Sequence, residues 1–194
     1  MTAVPVVWND EAARREETVR LGLWMFLATV AMLFAAFGSA YIVRRSGSDW
    51  TRIQLPPVLW TNTLILMASS AALEAGRWLG SRRRWIAASA ALGAAVALGL
   101  GFLVGQYEAW QELMAAGVYL PASPHSSFFY MMTGAHAAHV LAAVVVLLWA
   151  SAHTWTRLGA RDPRRWTAVL GSARTFWHFL LGVWGFVLVM LTAF

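Results

Sequence analysis

Long apolar stretches alternate with short polar ones along this 194-residue chain. Leu21 to Val43 holds no Asp, Glu, Lys or Arg over 23 residues and stops at Arg44-Arg45. At about 1.5 Å rise per residue, one such helix crosses the ~30 Å hydrocarbon core of a bilayer. A second span starts at Pro56-Pro57, since proline is tolerated in a first helical turn, and runs over 57–76 with Asn62, Thr63, Ser69, Ser70 and Glu74 among its apolar residues. The third, 85–107, is rich in Ala and Gly, whose small side chains let helices approach closely, and Glu108 and Glu112 mark its interface. Residues 113–156 are uncharged apart from His yet too many for one crossing. Gly117, Pro121 and Pro124 break them into a loop and a fourth span over 126–152. The fifth span is 172–194, with Arg174 at its start.

The pattern predicts an all-α polytopic membrane protein: a single membrane domain over 1–194 with five transmembrane helices. Ser46-Gly47-Ser48-Asp49 reads as a turn, Arg77 to Arg84 as a linker, and Arg157 to Arg165 as a polar connection. Residues 1–20 read as a polar arm. Their mixed charges, and an apolar run too long for the 7–15-residue core of a signal peptide, argue against a cleaved leader.

Charge then orients the chain. All fifteen basic residues are Arg, and the formal charge is +6. They sit in clusters between the apolar runs, as in membrane loops rather than on a nucleic-acid face, so no nucleic-acid partner is expected. With the amino terminus inside, twelve arginines fall on the cytoplasmic side and only Arg44, Arg45 and Arg52 outside. Basic residues accumulate in cytoplasmic loops, so the amino terminus is expected in the cytoplasm and the carboxyl terminus outside.

Composition narrows the chemistry. The chain is 59% hydrophobic and 12% charged, with twelve Trp and no Cys. That excludes disulfides, thiolate-bound zinc, Cys-ligated iron–sulfur clusters and the covalent haem of a C-x-x-C-H motif. His136 and His139 lie three apart in the fourth span, so they share a helix face. His125, His139 and His153 are spaced by fourteen, as two stacked haems would need, but a bis-His haem requires a second helix. His178 alone can supply it, so the count stops at one haem, in a cytochrome b-like arrangement. The competing reading has these His and Thr side chains hydrogen-bonding between helices. A transporter would show paired repeats and broken helices at mid-depth. Five spans do not divide equally, and Glu74 lies within one turn of Arg77, as a local ion pair does.

Ordered motifs add a resemblance. Thr133-Gly134-Ala135-His136-Ala137-Ala138-His139-Val140, preceded by Phe128-Phe129, resembles the T-G-F-H-G-L-H-V signature of cytochrome c oxidase subunit III and its quinol-oxidase counterpart. Phe176-Trp177-His178-Phe179 with Val183-Trp184 is similar to the Y-W-H-F-x-D-x-V-W of that family. Gly22-Leu23-Trp24-Met25-Phe26, then Leu59 with Asn62-Thr63 and Ser69-Ser70, then Gln106 with Trp110, match in family order. The chain departs at Val30, where many members carry a membrane carboxylate, at Leu181, where the last motif has Asp, and at Glu108, one position early. Many members have seven helices; five resemble the shorter form.

The resemblance implies a haem-copper terminal oxidase of a bacterial-type plasma membrane, accepting electrons from cytochrome c or a quinol, reducing oxygen to water and pumping protons. A relative serving nitric oxide reduction is the remaining alternative. Haem and copper are implied in the partner subunits I and II, and none in this chain, so no catalytic, cofactor or metal residue is assigned. On this reading Asn62, Thr133, His136, His139 and His178 are interhelical polar groups. Glu74, Arg82, Arg83, Arg84, Glu108, Trp177 and Trp184 are the candidates for meeting phospholipid or a partner subunit, with bound phospholipid an expected companion.

Overall fold

A computed structural model describes residues 8–155 and 163–193 of the chain. Among them lie five α-helices and no strand: α1 (Trp8–Arg44), α2 (Val58–Ser81), α3 (Trp85–Ala115), α4 (Pro124–Trp155) and α5 (Pro163–Ala193). Each contains a segment long and apolar enough to cross a membrane, from Glu17–Arg44 in α1 to Val169–Ala193 in α5. A helix satisfies its own backbone hydrogen bonds, which an apolar solvent cannot do, so a chain of such segments has little alternative to this class of fold.

The helices outrun the apolar stretches that mark them. α1 continues back through the polar arm to Trp8. α2 reaches Ser81, which puts Arg77 on the helix and shortens the expected linker to Arg82–Arg84. α3 runs on to Ala115 and carries Glu108 and Glu112 with it. Hydropathy marks where a helix meets hydrocarbon; good helix formers such as Ala, Arg and Glu extend it into the interface. Arg157 and Arg161 of the expected polar connection lie outside the described residues.

The helix ends have identifiable causes. At the close of α3, Gly117 takes φ +78, and its N–H and that of Val118 return to the carbonyls of Met114 and Leu113. This is a Schellman cap with glycine in the left-handed position, where it costs least. α2 ends in the same pattern, Arg83 N–H to Gly80 and Arg84 N–H to Leu79, but the left-handed residue is Arg83 at φ 59.

α2 and α3 form the tightest pair, α3 packs on α4 and α4 on α5, and α5 also touches α1 and α2. α5 is therefore the central helix, burying Leu170, Phe176, Trp177, Leu180, Trp184 and Val187. α1 is peripheral. One stripe of it, Leu27, Val30, Phe34 and Tyr41, is buried, while Met25, Met32 and Val43 are more than half exposed. In lipid, apolar contact alone does not drive helices together, so close van der Waals fit has to.

Candidate functional site

One layer draws a residue from every helix. Phe34 from α1, Thr63 from α2, Phe102 from α3, His136 from α4 and Trp184 from α5 meet in the interior. The Trp184 indole N–H donates to Thr63 Oγ1 at 2.9 Å, and the Thr63 hydroxyl passes its own proton back to the Leu59 carbonyl at 2.8 Å. The His136 ring lies 5.2 Å from Trp184, 5.6 Å from Phe102 and 6.4 Å from Phe34, the last two edge-on. It is fully buried and has no hydrogen-bond partner among the described residues. The expected interhelical hydrogen bond of His136 is thus replaced by ring packing, since its neighbours at that depth are aromatic faces and edges.

His139, one turn further along α4, also differs from expectation. Its Nδ1 meets the Ala135 carbonyl of its own helix at 2.7 Å, and its ring packs beside Phe26 and Phe34 of α1. The bond ties the side chain down within α4 rather than joining two helices. Asn62 is 1% exposed, presses its carboxamide on Gly105 of α3 and has no hydrogen-bond partner among the described residues. A side chain at Gly105 would overlap it, so the α2–α3 approach at this point depends on the missing Cβ.

Thr133 does join helices. Its hydroxyl donates to Phe129 O at 2.7 Å and accepts the Trp110 indole N–H from α3 at 3.1 Å. Ser69 donates to the Ala95 carbonyl at 2.7 Å and ties α2 to α3.

At the opposite end of α2, Glu74 gathers three partners. Arg77 Nε reaches Oε2 at 3.1 Å, His178 Nε2 lies 2.8 Å from Oε1, and Arg174 Nε donates to that same oxygen. Arg174 and His178 are four apart on α5, one above the other on a single face. The local pair with Arg77 is present, and the larger part of the network comes from α5. All four side chains are 34–49% exposed, so the network is of the solvent-screened kind.

The remaining candidates separate by exposure. Trp177 and Trp184, expected to meet lipid or a partner, are 2% and 1% exposed and lie inside the bundle. Arg82, Arg83 and Arg84 form the exposed α2–α3 turn, with the Arg82 guanidinium 4.3 Å above the Trp78 ring. Glu108 is exposed on α3. Val30 is 3% exposed on the buried stripe of α1. Trp110, Thr63, Ser69 and Arg174 were not singled out as site residues from sequence. Thr63, Ser69 and Trp110 carry a signal in the ordered motif matches, whereas Arg174 shows only as a charge at the start of an apolar run. Among the described residues no three His, Asp or Glu side chains converge.

The family model for cytochrome c oxidase subunit III matches residues 9–194. The chain is 32% identical to a protein of Corynebacterium diphtheriae described as cytochrome c oxidase subunit 3, over 89% of this chain and 86% of that one. It is 30% identical to the cytochrome c oxidase subunit 3 of Thermostichus vulcanus, covering 94% and 89%. It is also 32% identical to the cytochrome bo(3) ubiquinol oxidase subunit 3 of Pseudomonas aeruginosa, covering 91% and 85%. With a match along nearly its whole length and five helices able to cross a bilayer, this multi-pass membrane chain belongs to the cytochrome c oxidase subunit III family.

Proposed function

We propose that the chain serves as subunit III of a haem-copper respiratory oxidase and acts there as scaffold rather than as a redox carrier. The observation that carries this reading is how the histidines of the bundle are used: His178 is engaged with Glu74, His139 with the Ala135 carbonyl and His136 with three rings. His139 and His178, the pair a cytochrome b would need, are engaged by different helices: the His139 ring packs on Phe26 and Phe34 of α1, and His178 pairs with Glu74 of α2. The work left for the bundle is mechanical. It offers the catalytic subunit a rigid helical wall and holds phospholipid around it through turnover.

Subunits I and II, which carry the haem and copper on this reading, are the proposed partners. The electron donor is cytochrome c or a quinol, since relatives of both names match the chain. The twelve-to-three arginine distribution supports a plasma-membrane orientation with the amino terminus in the cytoplasm. Arg82, Arg83 and Arg84 then face the inner leaflet, where anionic headgroups attract basic side chains by roughly 1 kcal/mol each.

The test is to purify the native assembly with and without this chain. A complex lacking it should begin oxygen reduction at nearly the full rate and lose activity sooner during turnover. A haem absorbance in the isolated chain, abolished by substituting His139 or His178, would overturn the scaffold reading.

A further inference from the structure

The loop 45–57 between α1 and α2 is fastened to the start of α4 at three points. Trp50 stacks on His125 with ring centroids 5.1 Å apart and planes 19° from parallel. The Ile53 backbone N–H donates to His125 Nδ1 at 3.0 Å. The Ser123 hydroxyl reaches the Thr51 carbonyl at 3.5 Å. Tyr41, near the end of α1, closes edge-on against both rings, at 5.0 Å from Trp50 and 5.8 Å from His125. His125 is 2% exposed. Because α1 lies mainly against α5 and only lightly against α4, this clasp is a large part of what ties the far end of α1 to α4.

The hydrogen bond dictates the chemical state of the ring. An N–H donates into Nδ1, so Nδ1 holds a lone pair and the clasped imidazole is the neutral tautomer with its proton on Nε2. A second proton has to go on Nδ1, where two N–H groups would then face each other. The groups packed around the ring offer an imidazolium little relief. Tyr41 and Trp50 press on it uncharged; the charged groups of the adjoining α1 end and of the loop are Arg44, Arg45, Asp49 and Arg52. Asp49 is taken by Arg44, Oδ1 to Nη1 at 2.7 Å, and that hydrogen bond holds its carboxyl below the usual carboxylate range. The charge whose field reaches His125 is the cation of Arg52.

We propose that loop 45–57 is a proton-released latch, held shut by neutral His125 and freed when the imidazole takes up a second proton. The closed form requires the neutral ring, whereas the open form accepts either. The latch is therefore fully effective above the ordinary histidine value of about 6.5, and the ratio of closed to open forms falls by up to about tenfold per pH unit below that. Release frees the Tyr41 end of α1 from the start of α4 and leaves the contacts of Phe26 and Phe34 with His139 and His136 in place.

Hydrogen exchange of the intact assembly tests this. Between about pH 8 and pH 5, and after correction for intrinsic exchange, a peptide spanning Ile53 should lose protection by about tenfold or more, while peptides from the α2–α3 pair hold theirs. His125→Gln keeps a side-chain carbonyl to accept from Ile53 but cannot titrate, so its loop should stay protected across the range. An unchanged profile in the wild type, or an equal loss in wild type and His125→Gln, would overturn the latch. If His125→Gln leaves the loop open at every pH, His125→Asn decides. Its Oδ1 takes the place of Nδ1 as acceptor and cannot titrate, so its loop should stay protected from about pH 8 to pH 5, and a loss equal to that of the wild type, or a loop open throughout, would count against the latch.

Discussion

The Trp177 indole of α5 rests on Gly99 of α3: a Cβ added at Gly99 would meet Trp177 Cη2 at 2.6 Å and Val144 Cγ2 at 3.1 Å. Three helices meet at that point, and none can give way without moving the central one. Gly99→Ala should therefore cost about 1–3 kcal/mol through overpacking. A lower thermal midpoint of the detergent-solubilised chain or assembly would show it. Gly93→Ala is the control, because nothing lies within 4 Å of a Cβ there. Equal midpoints for the two variants would mean the Trp177 contact is not tight.

Arg83 is a different kind of strain. It holds φ 59 at the left-handed position of the α2 cap, where a Cβ crowds the backbone, and its side chain is exposed. Arg83→Gly should raise stability by up to about 1 kcal/mol, the relief outweighing the extra freedom of the unfolded chain. The thermal midpoint should rise slightly, with no change in helix content by circular dichroism.

How much of this was legible beforehand depends on what lipid does to sequence patterns. The spans and their breaks were readable because charge and proline are excluded from hydrocarbon: Arg44-Arg45, Gly117 and Pro124 all sit at or near real ends. Which face of each helix points inward was not. Leu, Val and Trp serve equally well toward lipid and toward a neighbour, so Trp177 and Trp184, expected to meet lipid or a partner subunit, lie in the interior. The histidine face was found from the spacing of His136 and His139. Their actual partners, rings in one case and a same-helix carbonyl in the other, depend on how α1 and α5 approach, which no local pattern encodes. Arg174 was noted only as a charge at the start of a span. Its pairing with Glu74 links residues a hundred positions apart.

That pairing makes its own prediction. Glu74→Gln removes the carboxylate that Arg77, Arg174 and His178 share and leaves two cations side by side. The four groups are partly exposed, so the expected cost is no more than about 1 kcal/mol and should shrink as salt screens the charges. Arg174→Ala should cost more than Arg77→Ala, since Arg174 alone of the two crosses from α5 to α2. Midpoints measured in low and high salt would check both statements. Equal losses at the two arginines would mean the inter-helix contact adds nothing.

His136 separates three roles that a buried histidine can play. As a metal ligand, or as a hydrogen-bonding bridge between helices, it would tolerate neither Ala nor Phe. As a ring filling the space between Phe34, Phe102 and Trp184, it should tolerate Phe and not Ala. Truncating a fully buried ring to Ala leaves a cavity and costs about 3–5 kcal/mol. His136→Phe keeps an edge-to-face partner for Phe102 and leaves no ring nitrogen to satisfy, so its cost should stay below about 1.5 kcal/mol. The assembled oxidase carrying His136→Ala should start turnover near the wild-type rate and then lose the subunit and its activity early. The Phe variant should keep both. Immediate loss of turnover in a fully assembled His136→Phe oxidase would show that the imidazole nitrogens, rather than the ring, are what the bundle needs at this position.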